Sequence, residues 1–101
     1  MDKIIVENVN QPGWSGRVDA AKYTAMRDAM IAALKDQAGP LDTKTIKEQV
    51  KPRLPEDLFP GGATSGWWIK CVQLDLEAKG LLARTTDKPL RFFLTEGAGN
   101  G

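Results

Sequence analysis

The chain has 101 residues, enough for one hydrophobic core but not for two, since halves of this size would bury too little apolar surface to fold alone. Hydrophobic residues make up 42% and charged residues 27%, which excludes the polar, highly charged range in which chains stay unfolded. No histidine, a single cysteine (Cys71) and a formal net charge of +1 exclude imidazole chemistry, an internal disulfide, a thiolate cluster and the strongly basic footprint of many nucleic-acid binders.

The first residues, Met1 to Glu7, carry neither the basic segment nor the apolar run of a signal peptide, and no stretch approaches the ~18 apolar residues of a membrane span. A cytoplasmic protein with no membrane partner is expected. Residues 1–18 form an N-terminal arm in which Ile4-Ile5-Val6 reads as a short strand. Asn10-Gln11-Pro12-Gly13 breaks it ahead of the turn residues Ser15-Gly16.

The domain proper spans 19–95. Its first helix covers 19–36: Asp19 is a suitable N-cap, Val18 and Tyr23 stand where a hydrophobic staple needs them, and Tyr23, Met26, Met30, Ala33 and Leu34 recur at helical spacing. Gly39-Pro40 closes it. A second helix covers 43–52, capped by Thr43 or Asp42, with Ile46 and Val50 one turn apart and Pro52 ending or kinking it. From Pro52 to Thr64 three prolines and Gly61-Gly62 predict a loop pinned by Leu54, Leu58 and Phe59. The third helix, 64–79, starts at Thr64 or Ser65 and stops at Gly80, a natural left-handed terminator. Strands at about 80–85 and 90–95 then flank Thr86-Asp87-Lys88-Pro89, with Leu90, Phe92 and Leu94 on one face. The glycine-rich tail 96–101 is expected to be disordered.

Three helices followed by a hairpin is the order of a winged helix-turn-helix, an α+β fold with the hairpin as its wing. The stretch Leu74-Asp75-Leu76-Glu77-Ala78-Lys79-Gly80-Leu81-Leu82-Ala83-Arg84 resembles the recognition-helix end and first wing strand of bacterial regulators of the multiple-antibiotic-resistance and phenolic-acid-repressor types. Those families place a leucine four residues before a glycine, two apolar residues after it, then an arginine. Here these are Leu76, Gly80, Leu81-Leu82 and Arg84, and Leu94-Thr95-Glu96 resembles the segment that leaves their wing. The whole chain also resembles a group of small bacterial proteins that lends no activity.

The resemblance implies a module that binds double-stranded DNA as a regulator or accessory protein, the third helix in the major groove and the wing along the backbone. Lys70 and Gln73 would then face base edges, Lys44 and Lys47 would touch phosphate, and Arg84, Lys88 and Arg91 would reach phosphate or minor groove from the wing. Charge agrees in part: residues 43–95 carry nine basic and six acidic side chains, against five and six in residues 1–42. The alternative is a winged helix used for protein contact or dimerisation without DNA.

DNA binding is the leading expectation, and two features of the sequence depart from its pattern. The connection between the second and third helices is far longer than the tight turn of a DNA-binding motif, so it holds an extra turn or the helices cross differently. At 100° per residue, the apolar residues of the third helix also spread over about 220°, twice the stripe of an ordinary amphipathic helix. Ile69, Val72 and Leu76 supply the inward side. A second side, Trp67, Cys71, Leu74 and Ala78, needs its own cover, either the N-terminal arm or a partner surface anchored by Trp67 and Trp68.

Catalysis finds little support. The loop Pro60-Gly61-Gly62-Ala63-Thr64-Ser65-Gly66 lacks the Gly-Lys-Ser/Thr ending of a phosphate loop, Cys71 lies within the apolar arc, and Glu56-Asp57 and Asp75-Glu77 have no nucleophile or ligand set beside them. No enzyme, metal or cofactor is expected.

Overall fold

A computed structural model describes residues 2–36, 39–86 and 90–95. The chain begins with an antiparallel hairpin of β1 (Lys3–Glu7) and β2 (Ser15–Asp19), in register from Lys3 opposite Asp19 to Glu7 opposite Ser15. Ile4 and Val6 alternate inward, and Val6 is fully buried. The reading of Ser15-Gly16 as turn residues is corrected: they open β2. Ser-Gly-Arg-Val-Asp has little strand propensity of its own, and the pairing with β1 imposes its conformation. The turn lies between Asn8 and Trp14, closed by Gln11 N–H to Asn8 C=O and Trp14 N–H to Gln11 C=O, both 3.0 Å.

Helix α1 (Ala20–Asp36) follows β2 directly. The Asp19 carboxylate accepts from Lys22 N–H at 3.1 Å, the cap expected, and Tyr23, Met26, Ala29, Met30, Ala33 and Leu34 form its buried stripe. Leu41 and Asp42 make a two-residue strand, β3, that the sequence reading lacks. Asp42 also caps α2 (Thr43–Val50) by accepting from Thr45 N–H at 2.8 Å, which holds its carboxyl below the usual range. Helix α2 ends before Pro52, and the chain continues as a 3-10 turn, Lys51–Arg53. There the Arg53 guanidinium donates to the Gln49 carbonyl at 2.7 Å and pairs with Asp36 at the end of α1.

The long connection contains a second short turn, Pro60–Gly62, and is fixed by buried Phe59, whose ring meets Trp68 edge-on at 6.4 Å. Helix α3 (Ser65–Ala78) starts after Thr64, which sits in the left-handed region at φ 61° with no capping bond from its side chain. At the other end Gly80 takes φ 76°, with Gly80 N–H on Glu77 C=O at 3.1 Å and Leu81 N–H on Leu76 C=O at 2.9 Å. These two bonds form a Schellman motif.

Strands β4 (Leu82–Arg84) and β5 (Arg91–Leu94) pair antiparallel, and β3 adds to the other edge of β5, giving the order β3-β5-β4. On the face expected to be apolar, Phe92 is buried and Leu94 half-buried, whereas Leu90 is exposed. Among the described residues the protein is thus α+β, with three α-helices and two small antiparallel sheets. The core lies between α1, α2, α3 and the three-stranded sheet. Lys88, expected in the wing, and the tail 96–101 lie outside the described residues.

Candidate functional site

The outer side of α3 is the place where the expected site residues gather. Its inward side, Trp68, Ile69, Val72 and Leu76, is buried in the core. Trp68 therefore stands inside the molecule, packed against Phe59, and is not an exposed anchor. Trp67, the residue before it, is 60% exposed, and the two indoles meet edge-on at 4.9 Å.

The second side of α3 is partly covered by the N-terminal hairpin. What fastens it there is Asp75, whose carboxylate has no exposed surface. It accepts from Glu7 N–H at 2.8 Å, from the Tyr23 hydroxyl and from Lys79 Nζ at 2.8 Å. A buried carboxylate is tolerated when its lone pairs are filled in this way. One side chain thus joins β1, α1 and α3. Burial and the bond to Asp75 push the Tyr23 hydroxyl well above the ordinary tyrosine range. Read as half of an acidic pair with Glu77, Asp75 gave no sign of this role; the available signal was a single carboxylate on an otherwise apolar arc.

The cover is incomplete. Between the hairpin and α3 lies a cavity of about 260 Å³ whose walls include Val6, Trp14, Trp67, Cys71 and Leu74, with Glu7 and Lys70 at the same site. Gly16 shapes it: a Cβ there would stand 2.7 Å from the Trp14 ring, so the absence of a side chain lets the indole fold over β2 and form a wall. The Cys71 thiol is half-buried, and desolvation, with Asp75 nearby, pushes it up to about 11. That holds it protonated near neutrality, in the inert form.

A second hollow, about 370 Å³, opens on the other flank of α3 and shares Gly66, Lys70 and Leu74 with the first. Thr43 of α2, Asn10 of the hairpin turn, and Arg84 and Leu90 of the wing also line it. Of the expected DNA contacts, Lys70, Gln73 and Arg84 line it. Lys44, Lys47, Lys70 and Arg91 are exposed, and the Lys47 ammonium comes near Gly66 at the start of α3. Gln73 does not face outward: it is 9% exposed, with its amide 3.4 Å from Glu77. Arg84 is turned back onto Glu77 in a two-point pair, both distances 2.7 Å, that raises its own proton affinity. The negative charge of Glu77 is thereby neutralised, and Arg84 is committed to it. In the glycine-rich loop, Gly61 N–H is already taken by the Glu56 carboxylate at 2.9 Å.

A profile described as "Family of unknown function (DUF6958)" matches residues 3–92. The chain belongs to that family. The match runs from β1 into β5, so the hairpin, the long connection and α3 are all within the unit that defines DUF6958. No curated protein and no solved structure matches the chain. No helix among the described residues is long and apolar enough to cross a membrane.

Proposed function

We propose that this DUF6958 chain is a winged-helix module that works by docking to protein through the outer face of α3. The winged-helix reading is supported by the element order α1–β3–α2–α3–β4–β5 and by the strand order β3-β5-β4, with β4–β5 as the wing. The docking reading is carried by one observation: Trp67 is 60% exposed beside an apolar cavity, on a helix face where Lys70 is the exposed charged side chain and Gln73 is buried. Tryptophan in such a setting is the commonest kind of interface anchor, whereas a base-reading helix needs several outward donors and acceptors. A cytoplasmic setting fits the lone unpaired thiol.

The test places a photo-crosslinking phenylalanine analogue at position 67 in the producing cell. A discrete protein adduct is expected there, weakened by Lys70→Glu and absent when the probe stands at Thr24 on the far side of α1. Equal labelling at both positions, or none, would end the docking reading.

A second reading, contact with duplex DNA, is favoured by the exposed cations Lys44, Lys47, Lys70 and Arg91, of which Lys70 lines the second hollow and Lys47 comes near Gly66 at its edge. With Gln73 buried and Arg84 held by Glu77, these cations would contact phosphate rather than base edges, so binding would be weakly selective for sequence and steeply dependent on salt. Retention of duplex at low salt by the native chain, lost on Lys44→Glu with Lys47→Glu, would support it. No retention at micromolar protein and about 50 mM salt would dismiss it.

A further inference from the structure

We infer that the partner seated on the hairpin–α3 cleft is a second copy of this chain, related by a two-fold axis through the Trp67 face; this rests on the docking reading above. Two properties of the cleft point the same way. The first is shape. Trp67 forms part of one wall and also stands out from α3 with 60% of its surface exposed, so a projecting indole adjoins a hollow of about 260 Å³ lined by Val6, Trp14, Cys71 and Leu74. A two-fold operation puts each copy's indole into the other's hollow, because in such an interface residue i meets j while j meets i. A head-to-tail use of the same knob and hollow would instead leave one of each open at every end.

The second property is charge. Glu7 and Lys70 are exposed and border the same cleft, yet neither makes an ion pair with a described residue of its own chain. Across a two-fold axis the Glu7 of one copy lies opposite the Lys70 of the other, twice over. A partner of different sequence would need both an apolar knob and a matching pair of opposite charges, while a second copy supplies them by symmetry.

Sedimentation of the full-length chain tests this, with circular dichroism to confirm that each variant is folded. The native chain is expected as a species of twice 11.0 kDa, and Trp67→Ala is expected to weaken association by about thirty-fold or more, the loss of a central anchor. Glu7→Lys and Lys70→Glu should each be monomeric alone, since each sets like charges together, while their equimolar mixture should form dimers with both ion pairs restored. A native chain that stays monomeric up to its solubility limit overturns the inference, and so does a mixture that fails to associate or a dimer indifferent to Trp67→Ala. The photo-adduct at position 67 separates the two levels: an adduct of another mass leaves docking standing and removes the second copy, whereas no adduct from a monomeric chain removes both.

Discussion

Asp75 and Thr64 hold opposite kinds of tension, and both can be tested by single substitutions. Asp75 sits without solvent among Glu7 N–H, Tyr23 and Lys79, so Tyr23→Phe removes one donor to a charged acceptor and keeps the ring. The expected cost is about 1.5–3 kcal/mol in urea unfolding. The pH dependence has a definite sign. The folded-state affinity of Tyr23 for its proton is raised above that of the unfolded chain, so this contribution is complete below about pH 10, the ordinary tyrosine range, and is lost as pH rises beyond it. Cys71, pushed up to about 11, acts in the same direction. Native stability should therefore fall on the alkaline side more steeply than that of Tyr23→Phe. Thr64 is a β-branched residue at φ 61° with no capping bond, a conformation that costs of order 1 kcal/mol. Thr64→Asn, which tolerates this region, should stabilise the chain by up to about 1 kcal/mol, read as a higher urea midpoint at unchanged slope.

At the scale of elements, the three helices were legible because each carries its own signals in sequence. Asp19 and Asp42 are caps, Gly80 is a terminator, and Tyr23, Met26, Met30 and Leu34 keep a helical period. Strands β2 and β3 carried no such signals. Ser15–Asp19 holds one β-branched residue, and Leu41–Asp42 is too short for a period; each becomes a strand through pairing with a distant segment, β1 or β5. The burial of Gln73 was hidden likewise, because the Glu77 carboxylate beside its amide is held by Arg84 from the distant strand β4. Within the hairpin, Gly16 is where a local change has a remote effect. A methyl there meets only the far end of the Trp14 ring, at 2.7 and 3.0 Å, and that ring is 46% exposed, so it can swing away. Gly16→Ala should therefore cost less than about 1 kcal/mol, below the usual overpacking penalty. It should nonetheless move the Trp14 indole N–H resonance and open the cleft beside Trp67.

For the whole molecule, the open question of energetics is whether the N-terminal hairpin is part of one cooperative unit or a flap on a finished domain. A two-stranded hairpin is marginal by itself in water, so β1–β2 must take its stability from α3. It does so through buried Val6, half-buried Ile4 and Val18, and the Glu7 N–H bond to Asp75. Removing residues 1–18 leaves Asp19 in place to cap α1, and so isolates the docking contribution from helix initiation. Burying a Val6-sized side chain is worth about 1.5–3 kcal/mol. With two partly buried neighbours and one charge-assisted hydrogen bond, the loss should reach several kcal/mol, and the second side of α3 becomes exposed. If the hairpin belongs to the cooperative unit, the truncated chain will show a lower urea midpoint and also a smaller slope, since less surface is exposed on unfolding. A truncated chain that unfolds at the native midpoint would mean that α3 needs no cover from the arm, and the Asp75 clip would then fix the hairpin in place without holding up the fold.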